Sequence, residues 1–284
     1  MKIRKFSWVW ICLLIAACAE DDSSVDIGVV TTMVGGDSTE SGNDRPAAPL
    51  SIDSDSLEVI FDAAADELVL LRDEKELLHF DLQSFPIGTV PRVSSNTNYD
   101  PYYFLSGITG GIPSGLDWVN PVGWTGTVLD NVLRLTLDYG ALGEGTVQLE
   151  VHGERRISAL YTPPTMAPIA FLRMRPKANA DEGFYGVGNT LDSVNHRGKV
   201  RPLQIVVDPT LETGFAHAFV TVPLTIGSNG WGLLVENHYP GAIAFAIDDE
   251  HRIDYAFGTA NASDEGLRFY LFVEGHPLDL TAHY

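Results

Sequence analysis

Apolar and polar residues alternate with a period of two in many segments of this chain, and that alternation limits the fold more than any other feature. Successive side chains of a β-strand point to opposite faces of a sheet, so the pattern is typical of strands with one buried face. Gly, Pro, Asn and Asp separate these segments, as expected for turns. The predicted strands are 57–62, 78–82, 133–137, 147–151, 170–175, 218–226, 231–236, 242–247, 252–257 and 267–273.

Helical periodicity is nearly absent from the same part of the chain. Only Ala63–Lys75 could form an amphipathic helix, and its Leu/Val run fits a strand equally well. Parallel α/β folds need helices between their strands, which this sequence does not supply. A chain of 284 residues, 45% of them hydrophobic, is long enough to bury a large core. The sequence therefore predicts an all-β fold, specifically a large antiparallel β-sandwich.

The first residues have the order of a secretion signal. Lys2, Arg4 and Lys5 precede an apolar run at 8–17 that is too short to span a bilayer permanently. We predict that residues 1–17 are a signal peptide.

The end of this signal predicts a lipid anchor. Leu14–Cys18 resembles the bacterial lipobox, in which small residues precede the cysteine that is lipidated. Cys18 would then become the first residue and attach the protein to a bacterial membrane. Ala19 follows, rather than the Asp that retains lipoproteins at the inner membrane, so the outer membrane or cell surface is the expected location. The alternative is a spanning anchor that ends by chance at Cys18, and Asp21 and Asp22 argue against it.

Composition divides the rest of the chain in two. Residues 18–52 are rich in Asp, Ser, Gly and Thr and contain few large apolar residues, which predicts a flexible tether. Residues 53–284 carry the alternating pattern and are predicted to form the β-sandwich.

The formal net charge of −20 limits the partners. It repels phosphate backbones, and no cluster of Lys and Arg with interleaved aromatics is present, so nucleic acid is not expected. A neutral carbohydrate fits better. No cofactor or metal is predicted, because the histidines lack ligand spacing and Cys12 would leave with the signal. Asp248–Glu250 could hold calcium, but we favour a solvated hairpin tip.

Several segments resemble a known family when they are taken in order. They are Glu182–Gly188, Asn195–Gly198, Gly230–Asn237 and Tyr270–Asp279. Their sequence and order are similar to those found just ahead of the catalytic barrel in glycoside hydrolase family 31, the α-glucosidase and α-xylosidase family. Ordered co-occurrence is more specific than any single glycine motif.

This resemblance implies a galactose-mutarotase-like β-sandwich that stands before a (β/α)8 barrel. In the family, the two carboxylates of retaining hydrolysis lie in the barrel, about 5 Å apart. The catalytic barrel is absent from this sequence, so no catalytic residue is assigned and the chain is expected to be inactive alone. It would be the non-catalytic part of a hydrolase that acts on α-linked sugars, and it would support the barrel.

The resemblance also implies a loop that closes over the sugar, and Asp208 matches its carboxylate position. A carboxylate can accept hydrogen bonds from sugar hydroxyls, whereas the alternative is an ordinary turn aspartate before proline. His196 and Arg197, in the second motif, are further candidate substrate contacts. Trp118 and Trp124 are candidate stacking residues, although aromatics in β proteins more often belong to the core.

Departures from the family pattern leave the sugar and the linkage open. Asn189, Val207 and Phe219 stand where Glu, Arg and Tyr are usual. The alternative function is a stand-alone surface lipoprotein module that binds carbohydrate. An aldose epimerase would share the fold, but it needs a His and Glu pair in its groove, and no such pair can be placed.

Overall fold

The computed structural model describes residues 48–89, 112, 116–165, 169–190, 192–203, 220–237, 239, 241–259, 266–276 and 278–282. Within these ranges the chain forms eighteen β-strands and three short 3-10 helices, and it contains no α-helix. No helix in the described part of the chain is long and apolar enough to cross a membrane.

The strands are numbered in chain order. They are β1 Leu50–Asp53, β2 Leu57–Asp62, β3 Glu67–Arg72, β4 Lys75–Asp81, β5 Ile87–Thr89, β6 Asp117–Val119, β7 Gly123–Leu129, β8 Val132–Asp138, β9 Glu144–His152, β10 Arg156–Thr162, β11 Ile169–Met174, β12 Phe184–Gly188, β13 Lys199–Leu203, β14 Thr221–Gly227, β15 Trp231–Glu236, β16 Gly241–Phe245, β17 Ile253–Gly258 and β18 Leu267–Val273. The 3-10 helices are Leu82–Ser84, Gly140–Leu142 and Asp279–Ala282.

Antiparallel pairing organises these strands into three sheets. The small sheet has the order β1-β2-β3-β4, the large sheet β12-β14-β15-β18-β10-β9-β8-β7, and the medium sheet β13-β16-β17-β11-β5-β6. Phe184 of the large sheet stacks on Phe245 of the medium sheet with ring centroids 5.5 Å apart. The inner faces of these two sheets thus form one core, and the predicted all-β sandwich is confirmed.

Alternation along the strands builds this core. In β8, Leu133, Leu135 and Leu137 are fully buried, whereas Arg134 between them is exposed. Burial of such a side chain contributes about 1.5–3 kcal/mol, so alternating strands commit one face to the core.

Two buried tyrosines share one backbone carbonyl within the core. The hydroxyls of Tyr139 and Tyr161 lie 2.6 Å apart, and the carbonyl oxygen of Phe85 is 2.6 and 2.8 Å from them. Burial raises the pKa of both tyrosines. These buried hydroxyls are therefore satisfied by each other and by one carbonyl.

The small sheet packs against the large sheet through aromatic rings. Phe61 meets the edge of Trp124 with ring centroids 5.0 Å apart. Gly126 of β7 lies beside this contact, and a Cβ there would stand 2.5 Å from Phe61 Cδ1. The absence of a side chain at Gly126 is thus what lets the two sheets approach.

The structure resolves the ambiguous segment at 63–75 as hairpin rather than helix. β3 occupies its middle, and Asp73 and Glu74 form the following turn with φ values of 48° and 64°. Two consecutive residues at positive φ are typical of a type I′ hairpin turn. At the other boundary, β1 begins at Leu50, so the last three residues assigned to the predicted tether belong to a strand. Residues 1–47, including Cys18, lie outside the described residues.

Candidate functional site

The first motif, Glu182–Gly188, forms β12 at one edge of the large sheet. Gly186 and Gly188 have φ values of 98° and 97°, and the register with β14 shifts between them. A Cβ at Gly186 would lie 2.3 Å from the carbonyl oxygen of Leu224, and one at Gly188 would lie 1.9 Å from that of Val220. Glycine is required at both positions because the backbone is left-handed and the neighbouring strand is in contact with it.

Glu182 precedes this strand and is almost fully buried. Its Oε1 accepts a hydrogen bond of 2.6 Å from Trp231 Nε1, and its Oε2 accepts one of 3.3 Å from the backbone of Asn179. Burial raises the pKa of the Glu182 carboxyl, while the bond from Trp231 opposes that shift. The carboxyl therefore ties the first motif to the glycine-tryptophan-glycine strand of the third.

Arg197, a predicted substrate contact, bonds to backbone carbonyls. It donates to the oxygens of Asn179 at 3.0 Å, Glu182 at 3.1 Å and Glu250 at 2.6 Å. Its guanidinium also lies 5.6 Å from the centre of the Phe184 ring. These contacts hold three loops together.

His196, the other predicted contact in that motif, is 1% exposed. Its Nδ1 accepts a 3.0 Å bond from Arg201 Nε, and its Nε2 lies 3.1 Å from the carbonyl oxygen of Gly186. This pattern requires a neutral ring that carries its proton on Nε2. Burial and the charge of Arg201 lower the pKa of His196. Both ring nitrogens are thus used inside the protein.

Asp192 completes this arrangement. It receives a 2.8 Å bond from Arg201 on one oxygen and a 2.8 Å bond from Lys199 on the other. Burial opposes ionisation of Asp192, but the bonds from Lys199 and Arg201 prevail and lower its pKa to about 2. We call the connected set the motif network; its members are Glu182, Asp192, His196, Arg197, Arg201 and Trp231.

The motif network lies where the segment 204–219 leaves and re-enters the sandwich. Arg201 is in β13, which ends at Leu203, and the backbone N–H of Asn189 donates a 3.1 Å bond to Val220 just before β14. Asp208 belongs to the segment between these ends and lies outside the described residues. Arg201 of the network therefore lies in the strand that ends just before that segment.

The two predicted stacking residues are not brought together. Trp124 is 3% exposed and lies in the core between Phe61 and Phe85, so its ring is not accessible to a sugar. Trp118 is partly exposed in β6 of the medium sheet.

Trp118 belongs to a charged cluster that the sequence did not indicate. The Arg173 guanidinium lies 5.2 Å from the centre of the Trp118 ring, and Asp254 pairs with Arg173 at 2.8 Å and with Arg175 at 2.5 Å. The available signal was the spacing of Arg173, in β11, and Arg175, just after it, because residues two apart in an extended segment point to the same side.

Asn237, which ends the third motif, connects two sheets. Its Nδ2 donates to the carbonyl oxygen of Gly258 at 3.1 Å, and its Oδ1 accepts from the backbone of Tyr239 at 2.9 Å. Asp248–Glu250 lies in the turn between β16 and β17. Among the described residues, no group of three or more His, Cys, Asp or Glu side chains could hold a metal ion.

The outer face of the large sheet divides into two halves. Across β8 and β9 it presents polar residues, including Arg134, Gln148 and Glu150, all exposed. Across β12, β14, β15 and β18 it presents an apolar cluster that is separate from the main core. We call this cluster the outer patch; its members are Tyr185, Val222, Leu224, Ile226, Leu234, Tyr270, Phe272 and Leu280.

A groove of about 400 Å³ borders the outer patch and shares Phe272 with it. The remaining lining residues are His152, Glu154, Arg155 and Arg156. Arg155 pairs with Glu274 at 2.7 Å, whereas Arg156 is exposed. Acidic and basic residues thus lie together at the edge of the outer patch.

Comparison with known proteins identifies the fold. No family model and no curated protein matches the chain. A GH31 family sulfoquinovosidase from E. rectale, solved with an aza-sugar inhibitor, superposes with a TM-score of 0.50 and 11% sequence identity. The described chain has the fold of part of a glycoside hydrolase family 31 enzyme. The match covers 76% of this chain but only 32% of that enzyme, so this chain spans about a third of its length.

Two other solved structures align over a similar share of this chain. A cycloalternan-forming enzyme from Listeria monocytogenes, in complex with a pentasaccharide substrate, covers 80% of this chain and 25% of its own, with 12% identity and a TM-score of 0.41. A GH31 dextranase from Flavobacterium johnsoniae, in complex with glucose, covers 79% and 26%, with 11% identity and a TM-score of 0.32.

Proposed function

We propose that this chain is the non-catalytic β-sandwich part of a glycoside hydrolase family 31 enzyme that acts on α-linked sugars. The observation that carries the proposal is the superposition on a GH31 enzyme over 76% of this chain and 32% of the other. A partial match of this kind fits a module that works together with a separate catalytic domain. The ordered motifs of the sequence support the same assignment.

The role of the sandwich in this proposal is to support the catalytic barrel and to present the segment at 204–219. The motif network gives that segment a rigid base, since its buried charges and hydrogen bonds connect β12, β13 and β15. Asp208 would then accept hydrogen bonds from sugar hydroxyls bound in the catalytic domain. His196 and Arg197 would act indirectly, by positioning the base of the segment.

Export and lipid attachment at Cys18 are part of the proposal. The basic, apolar and small-residue order of residues 1–18 supports them. Replacement of Cys18 by Ser should abolish incorporation of radiolabelled palmitate into the protein in the source cell. Continued labelling of the Cys18→Ser variant would contradict the anchor.

A second candidate function is a stand-alone surface module that binds carbohydrate. The observation in its favour is Trp118, whose ring is partly exposed and lies beside the charged cluster of Arg173 and Asp254. An aromatic face next to polar groups suits a sugar ring.

An immunoblot of the source cell with antibodies against residues 60–284 distinguishes the two functions. The GH31 proposal predicts a band well above 30.9 kDa, the mass of this chain, together with hydrolysis of α-linked oligosaccharides by that product. A band at or slightly below this mass contradicts it and favours the stand-alone module. Binding of maltose by wild type and its loss in Trp118→Ala would then support the second function.

A further inference from the structure

A second groove lies at one end of the sandwich, between the large and the medium sheet. Its volume is about 340 Å³, which is within the range of pockets that bind small molecules. The large sheet contributes Glu236, at the end of β15, and Arg268, near the start of β18. The medium sheet contributes Gly258, at the end of β17, and Thr259 follows directly after it. We call this feature the end groove.

Two hydrogen bonds hold the walls of the end groove. Asn237 Nδ2 donates to the carbonyl oxygen of Gly258 at 3.1 Å, which links the end of β15 to the end of β17. Thr259 is buried, and its hydroxyl donates to the carbonyl oxygen of Ile169 at 2.5 Å. The walls are therefore positioned by bonds within the protein, and a preformed groove lowers the entropic cost of binding a ligand.

Polar side chains that line the end groove keep hydrogen-bonding capacity. Glu236 Oε2 accepts a bond of 3.0 Å from the Tyr270 hydroxyl and lies 3.6 Å from Arg268 Nε. Among the described residues, Glu236 Oε1, the Arg268 guanidinium and the Tyr239 hydroxyl have no hydrogen-bond partner. These three groups can therefore accept hydrogen bonds from a ligand and donate hydrogen bonds to it.

The chemistry of this lining suits a neutral sugar. Glu236 and Arg268 are its acidic and its basic side chain among the described residues, and their charges compensate, so the lining does not favour an ion. The apolar part of the lining consists of Leu160, Leu172 and Leu267. A sugar combines hydroxyls that both donate and accept hydrogen bonds with apolar C–H groups, and it therefore matches both parts of the groove.

We propose that the end groove binds a neutral sugar, with Glu236, Tyr239 and Arg268 as the contacts to its hydroxyls. The inference goes beyond the proposed function, because the sugar is bound by the sandwich itself and no catalytic domain is needed. It also differs from the second candidate function, in which Trp118 is the contact.

An NMR titration of the purified chain, isotopically labelled at glycine, with maltose and with isomaltose tests this assignment. Gly258 and Gly266 line the end groove, and their backbone amides report on it. Gly88 pairs with Trp118 and reports on that residue, whereas Gly153, in the turn between β9 and β10, is the control. We expect at least one of the two sugars to shift the amide signals of Gly258 and Gly266 and to leave those of Gly88 and Gly153 unchanged.

A matched pair of variants tests the contacts. Replacement of Glu236 by Ala should weaken the binding of that sugar about tenfold, because a charged hydrogen-bond acceptor is lost. Glu150→Ala removes an exposed carboxylate from the outer face of the same sheet and should leave binding unchanged. Glu236 is also exposed, so both variants should unfold at the urea concentration of the wild type, which separates a loss of binding from a loss of folding.

Three results would overturn the inference. Shifts at Gly88 without shifts at Gly258 and Gly266 would assign the sugar to Trp118. No shift at any of these amides in concentrated solutions of either sugar would show that the end groove binds neither, and unchanged binding in Glu236→Ala would contradict the assigned contact. None of these results depends on the size of the product of the native locus, so the proposed function is tested separately by the immunoblot.

Discussion

The motif network lies inside the sandwich around Trp231, whereas the outer patch lies on the outer face of the large sheet, and the two differ in how completely their groups are satisfied. Inside, Glu182 and His196 use their polar atoms in hydrogen bonds to other parts of the protein. Outside, Leu234 and Tyr270 keep part of their apolar surface in water. The polar residues of the sequence motifs are thus structural, whereas apolar residues of the same motifs, such as Tyr185 and Leu234, belong to the outer patch.

Substitution of Gly188 by Ala should lower the free energy of unfolding more than the other substitutions described below. The added Cβ would stand 1.9 Å from the carbonyl oxygen of Val220 in a backbone at φ 97°, so we expect a loss of about 4 kcal/mol in the free energy of unfolding. Gly153→Ala is the control, because its φ is 64° but nothing lies within 4 Å. It should cost about 1 kcal/mol. Equal losses in urea denaturation would contradict a role for close packing at Gly188.

Replacement of Arg201 by Met should be the next largest effect. Arg201 is 2% exposed and bonds to both His196 and Asp192, so its loss leaves Asp192 with only Lys199 among these partners. Because Arg201 is buried while Asp192 is partly accessible to solvent and keeps Lys199, we expect a loss of about 2 kcal/mol in the free energy of unfolding. Lys199→Met removes the more exposed partner of the same carboxylate and should cost about 1 kcal/mol or less. Urea denaturation of both variants measures the difference, and a larger effect at Lys199 would refute this view of the network.

Acid should weaken the network in two steps. The pKa of His196 is lowered below its ordinary 6.5, so the unfolded chain takes up a proton first and stability falls as the pH drops below that value. The pKa of Asp192 is lowered from 3.8 to about 2, so its contribution, discounted for solvent access to about 1 kcal/mol, is lost as the pH falls through that range.

Urea midpoints measured from pH 7 to pH 2 would show this loss. The contribution of Glu182 to stability depends on pH in the opposite direction. Because the pKa of Glu182 is raised in the folded protein, that contribution is present below pH 4.5 and is lost as the pH rises through the folded pKa. Asp192→Asn should flatten the lowest part of the profile. An unchanged profile in that variant would show that Asp192 is not the group responsible.

The sequence predicted the strands better than the contacts between them. β8 and β9 alternate cleanly and were found, whereas β13 was missed because Pro202 interrupts its pattern, which is tolerated since the strand lies at a sheet edge. β10 was also missed, although Arg156–Thr162 alternates between buried and more exposed residues.

The site was harder to predict for a physical reason. Arg197 bonds to carbonyls of Asn179 and Glu250, which come together only when the sheets fold. Burial of Trp124 and partial exposure of Trp118 likewise depend on which sheet each strand joins. Composition and spacing identified residues of interest, but their partners were set by tertiary packing.

The smallest expected effect on stability concerns the outer face of the large sheet. Reversal of charge in Arg156→Glu should leave the free energy of unfolding of this chain within about 0.5 kcal/mol, because the side chain is exposed. Arg134→Glu, exposed in the polar half of the same face, should have an equally small effect. Urea denaturation measures both, and a much larger loss in Arg156→Glu would contradict the exposure of its side chain.

Hydrolysis of maltose and isomaltose should be measured side by side for the chain of 284 residues and for the longer product of its locus. We predict that the longer product hydrolyses at least one of these α-linked sugars and that the chain alone hydrolyses neither. Hydrolysis by the chain alone would contradict this prediction, because the sandwich would then hold catalytic groups of its own.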